Sequence, residues 1–207
     1  MKDMVSRLKN VVSLLHEGGE SGDEVDWAAA AADLDVPSFP VDYKSFVETF
    51  GAGSFENSLF VSIPRPGENA ADLTVTRLPA DALLSDALEE WQKKTDSDLY
   101  RLEDMLVWGE TNGSDALCWV TSNPDPNRWP VAVWARQGGG WAVYDCGMTE
   151  FIVRLLGEDF SECPLSVATL WRRGEARFLN FREEERFLDE GVDPWTGEST
   201  DPFAGLD

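Results

Sequence analysis

Four short apolar runs dominate the hydrophobic pattern of the chain, at residues 105–109, 116–120, 131–135 and 141–145. Each is nearly continuous rather than alternating, which predicts strands covered on both faces. Asn112-Gly113 separates the first pair and Gly138, Gly139 and Gly140 the second; such residues readily take the positive φ of tight turns. Two antiparallel hairpins follow from this spacing. They carry Trp108, Trp119, Trp134 and Trp141, and they lead into a helix whose Phe151, Ile152, Leu155 and Leu156 share one stripe. Gly157 is placed to end that helix in a left-handed cap.

Upstream, Met4, Leu8, Val11, Val12 and Leu15 recur at helical spacing and predict an amphipathic helix over residues 2–16. The acidic, Gly-rich 17–26 reads as a hinge, and the Ala-rich 27–34 as a short helix anchored by Trp27. Tyr43, Phe46, Val47 and Phe50 fall at i, i+3, i+4 and i+7, with Pro40 suited to the first turn. Gly51 and Gly53 stop this helix, at least one of them at positive φ. Residues 58–63 and 72–77 read as strands flanking the breaker-rich PRPGENA. Leu84, Leu88 and Trp91 share a face of a helix expected over 80–91, and polar KKTDSD joins it to the hairpins. Beyond Gly157 the pattern loosens. Residues 177–190 have helical propensity with Phe178, Phe181 and Leu188 as anchors, and the Pro-, Gly- and Asp-rich remainder reads as an extended arm.

Composition acts mainly by exclusion. A chain of 207 residues, 43% hydrophobic and with nine Trp, is expected to form one domain with appendages and a substantial core. No apolar run reaches membrane-spanning length, and the N-terminus lacks a signal-peptide pattern. Three cysteines, Cys118, Cys146 and Cys163, lie in or beside apolar runs and predict free thiols in a reducing, cytoplasmic setting. The formal net charge of −22 repels nucleic acid and anionic membranes and attracts cationic partners, although a generically acidic, well-solvated surface carries the same charge. His16 is the only histidine, so neither a zinc site nor a triad is supported. Gly138–Gly140 lacks the Lys-Ser/Thr of a phosphate loop, and CxxC, HExxH and nucleophile-elbow motifs are absent from the sequence. Asp193, Glu198 and Asp201 miss the calcium-loop spacing. No catalytic residue, cofactor or metal is therefore expected, and the Trp residues read as core rather than as a binding platform.

The segment SFPVDYKSFVETFGAG resembles the Leu-Pro-x-Asp-Tyr-x-x-Phe helix and following glycines of the SUKH superfamily, with Phe39 in place of the usual Leu. In the family's order, SLFVSI resembles its first strand and LLSDALEEWQ its intervening helix. VWGETNGSDALCWV resembles its tryptophan-plus-glycine strand pair, and WAVYDCGMTEFIVRLL its last strand and helix. The resemblance spans residues 25–157. It implies an α+β fold, a mostly antiparallel twisted sheet with helices packed around it. It also divides the chain into an N-terminal helix and acidic hinge (1–24), a SUKH-like core (25–157) and a C-terminal extension (158–207).

In function, the resemblance implies protein binding without catalysis. Bacterial immunity proteins of this superfamily neutralise a cognate toxin, commonly a nuclease or deaminase domain, by direct contact. Fungal cell-wall regulators of the Smi/Knr type are the alternative, binding a cellular partner, and an enzyme acting through acidic residues is a third reading. If the partner is a basic toxin domain, contact is expected in the groove beside the central sheet. Glu110, Asp115 and Asp125 are expected to supply the charge there, being acidic residues in turns at strand ends that a rigid scaffold presents outward.

Overall fold

The computed structural model describes residues 4–15, 21–66, 74–78, 90–137 and 140–201. Among them nine strands form one sheet: β1 (Val12–Leu14), β2 (Gly53–Phe55), β3 (Leu59–Val61), β4 (Thr76–Arg77), β5 (Met105–Thr111), β6 (Ala116–Val120), β7 (Val131–Trp134), β8 (Trp141–Tyr144) and β9 (Ala176–Asn180). Their order is β1-β9-β2-β3-β5-β6-β7-β8, with β4 on β5, and every pairing is antiparallel except β1 with β9. The α-helices are α1 (Met4–Lys9), α2 (Trp27–Asp33), α3 (Val41–Thr49), α4 (Lys94–Leu99), α5 (Met148–Leu156) and α6 (Phe181–Asp189). This is the α+β architecture that the sequence predicts.

Both faces of the hairpins are covered. Leu106, Trp108, Leu117, Trp119, Val131 and Val133 point into the main core, beneath the buried stripes of α1, α3 and α5. Met105, Cys118, Val120, Ala132 and Trp141 form a second core on the opposite face, closed by Trp91, Tyr100 and Leu102. A β-bulge at Val107/Gly109 places Trp108 between two regular stretches of the β5–β6 ladder. Tyr43 is buried in the main core and donates its hydroxyl proton to the Ser62 carbonyl at 2.6 Å, so α3 is bonded to the sheet as well as packed on it.

Several local expectations give way to tertiary pairing. The helix expected over 2–16 stops at Lys9, because Val12–Leu14 finds a partner in β9: Ala176 N–H donates to the Val11 carbonyl and Leu15 N–H to that of Phe178. Likewise, the helix expected over 177–190 begins only at Phe181. Residues 176–180 are flanked by β1 on one side and β2 on the other, and two ladders outweigh helix propensity. Phe178 is a core anchor as expected, but Leu188 is 51% exposed. The short helix α4 begins within KKTDSD and ends at Leu99, and residues 192–199 fold back through a Val192–Ser199 bridge instead of extending as an arm.

Turn chemistry also differs in detail. Gly51 is left-handed (φ 72°), with its Cα against the Asp23 carboxylate and the Asn180 amide where a Cβ would clash, while Gly53 is ordinary strand. In the β5–β6 hairpin the positive φ falls on Ser114 (61°) rather than on Asn112 or Gly113, giving a three-residue loop closed by Thr111 and Asp115. Gly157 is extended (φ −84°). No left-handed cap is needed there, since the Leu155 and Leu156 carbonyls accept the N–H groups of Arg172 and Gly174. The helix expected over 80–91 lies, apart from its last two residues, outside the described residues, as does His16.

Candidate functional site

The three carboxylates expected at the contact surface take different roles. Glu110 is exposed on β5, opposite Phe60 of β3 and Ala116 of β6. Asp125 is exposed in the 121–130 loop, where its side chain accepts the Asn127 N–H at 3.0 Å and caps a single 3-10 turn. Asp115 is not presented outward: it is 1% exposed and accepts from Thr111 Oγ1 (2.9 Å), Arg136 N (3.0 Å) and Ser166 N (2.8 Å). A carboxylate with three donors in reach is more stable folded into its own loops than facing solvent. Glu110 sits on β5 opposite Ala116, the first residue of β6, and Asp125 lies five residues past the last, so the structure does not gather the three into one site.

A groove that the sequence does not reveal opens near Asp125. The first turns of α3 and α5, the 121–130 loop and Met4 of α1 enclose about 420 Å³, lined by Pro40, Val41, Pro126, Trp129, Asp42 and Glu150 among others. An adjoining hollow of about 360 Å³ shares Asn127, Trp129, Gly147 and Glu150 and adds Asn123, Arg128 and Asp145. Side chains from one wall cap the backbone of the next. Asn127 Oδ1 accepts the Val41 N–H at 2.9 Å, tying the loop to α3. Asp42 Oδ2 accepts from both N–H (3.1 Å) and Oγ1 (2.9 Å) of Thr149, tying α3 to α5. Trp129 Nε1 donates to the Asn123 carbonyl at 2.6 Å, which closes the loop on itself. Gly147 is required where Asp42 passes, since a Cβ there would lie 2.8 Å from Asp42 Oδ2. The walls are therefore preorganised.

Cys146, at the edge of the second hollow, has its thiol pushed up to about 12 by burial, and burial raises Cys118 further, so neither is a thiolate near neutrality. Among the described residues no group of three or more His, Cys, Asp or Glu side chains could hold a metal ion, and no helix is long and apolar enough to cross a membrane. The signal that could have pointed to the groove is the pairing of two Pro-flanked segments, FPVDY and NPDPNRWP. Each is unremarkable alone.

The comparisons agree with the fold. Residues 26–152 match the SUKH_6 family, described as SMI1-KNR4 cell-wall, and the matched segment holds α2, α3 and all strands from β2 to β8. No curated protein and no solved structure matches the chain. With well over half of the chain matched and the α+β architecture in place, the protein belongs to the SUKH superfamily.

Proposed function

We propose that the protein is a non-enzymatic immunity module that neutralises a cognate toxin domain, a basic nuclease or deaminase, by direct binding. The observation that carries this reading is the formal net charge of −22 on a SUKH chain. A nuclease must present cationic surface to phosphates, and an acidic protein both accelerates the encounter and occupies that surface. Glu110 and Asp125 contribute to the field as exposed carboxylates on strand-end scaffolding. Asp115, being buried, contributes structure instead.

A regulatory role is the second reading, favoured by the description of the matching family as SMI1-KNR4 cell-wall. The deciding measurement is binding and inhibition of a purified toxin domain encoded beside this gene. Saturable one-to-one binding with loss of toxin activity supports immunity. A neighbouring toxin that is neither bound nor inhibited transfers the case to the regulator.

A further inference from the structure

Val41 is 62% exposed, yet the apolar residues that follow it on α3, namely Tyr43, Phe46 and Val47, are buried. It is one of three large hydrophobics left exposed among the described residues, and the one of these that lines the 420 Å³ groove. Met4, Pro40, Pro126 and Trp129 extend the apolar floor around it. The volume falls within the ~300–1,000 Å³ range of pockets that bury drug-sized ligands, enough for one large side chain with backbone on either side. The surroundings of this floor are acidic: half-exposed Glu150 lines both hollows, exposed Asp145 lines the adjoining one, and exposed Asp125 accepts from the side chain of the lining Asn127. Two cations offset this acidity, Arg128 and Arg154, the latter 4.0 Å from Glu150. The balance at the rim stays negative, on a chain whose total charge is −22.

We propose that this groove docks an extended, Lys/Arg-rich segment of a protein partner, which seats one aliphatic or aromatic side chain against Val41 while its cations meet Asp125, Asp145 and Glu150. The proposal rests on the binding reading above and adds where the partner is gripped and by what chemistry. Charge complementarity selects the occupant: an acidic segment would be repelled at the rim, and a wholly polar one would leave the apolar floor wet. The capped walls mean that little ordering opposes binding on this side, so a short segment suffices.

The test is selection of a random heptapeptide library on the full chain, followed by affinity measurements on Val41→Ser and Asp145→Lys. Both positions are exposed or partly exposed and melt temperatures should match wild type. Recovered peptides should place Lys or Arg on both sides of a Leu, Ile, Met, Phe or Trp. Affinity should fall about tenfold in Val41→Ser, as for a central anchor contact. It should also fall in Asp145→Lys, more at low salt than at high salt. Recovery of acidic or neutral peptides, equal binding by Val41→Ser, or no recovered peptide would overturn the proposal. The two readings fail separately. A toxin domain inhibited equally by wild type and Val41→Ser removes the groove and leaves immunity standing. Basic peptides bound only by wild type, with the neighbouring toxin ignored, remove immunity and leave the groove.

Discussion

Glu56 has positive φ (50°) in the turn between β2 and β3, and its side chain, 6% exposed, lies 3.3 Å from Arg173 and 2.8 Å from Arg177. Arg177 also donates its backbone N–H to the same carboxylate and stacks over Trp195, which pins the 192–199 turn to β9. Burial alone would raise the acid's pKa. The hydrogen bonds from Arg177 and the charges of Arg173 and Arg177 outweigh it, and the net displacement is downward. A folded value below the unfolded one means that the stabilisation is fully present above about pH 4.5 and is lost as pH falls through the folded value. Glu56→Gln should therefore flatten the acid limb of stability against pH, read by urea melts from pH 7 to pH 3, and cost about 1.5–3 kcal/mol at neutrality. An unchanged acid limb would assign it to other carboxylates. Trp108 makes a contrasting case: it is fully buried and its indole N–H has no hydrogen-bond partner, so its contribution is packing. Trp108→Ala should cost about 3–5 kcal/mol in the same melts, and a wild-type midpoint would contradict its place in the core. Residue by residue, the buried Trp108 and Trp119 were legible, whereas the exposure of Leu188 and the burial of Asp115 were not. Asp115 and Asp125 both look like turn carboxylates, but only contacts 21 and 51 residues further along the chain draw Asp115 inward.

At the scale of elements, the two central hairpins were readable because continuous apolar runs, turn residues and an amphipathic helix all indicated the same pairing. β1 and β9 were not readable. Val11, Val12 and Leu15 suit a helical stripe until a parallel partner appears, and RFLNF merges into the charged run that becomes α6. The groove was equally hidden, since its walls come from α1, α3, the 121–130 loop and α5 and meet only in the folded chain. The family match ends at residue 152, within α5, while β9 fills the space between β1 and β2. A fragment of residues 26–152 therefore lacks β1, β9 and the buried Leu155 and Leu156, and it leaves β2 as an open edge. Expressed alone, it should be recovered as aggregate, whereas residues 4–201 should elute as a folded species with a cooperative melt. A soluble, cooperatively melting 26–152 would show that the outer strands are dispensable.

For the whole molecule, charge acts at longer range than any contact described above. If association with a basic toxin domain is steered by the net charge of −22, the on-rate should drop at least tenfold as salt shortens the screening length from about 30 Å at 0.01 M to about 3 Å at 1 M. Stopped-flow association provides the reading, and charge reversal at Glu110 and Asp125 should slow arrival more than it hastens departure. A salt-insensitive on-rate would remove the steering and keep the binding. The parallel β1–β9 pair matters in another way, during synthesis. Val12–Leu14 leaves the ribosome about 160 residues ahead of Ala176–Asn180, its partner. At roughly 5–20 residues per second that delay is on the order of 10 s. Until β9 arrives, β2 lacks its outer neighbour and β1 has no partner, so the nascent chain carries unpaired strand edges over that interval. Chaperone dependence in the cell should accordingly be set by how fast β9 is delivered.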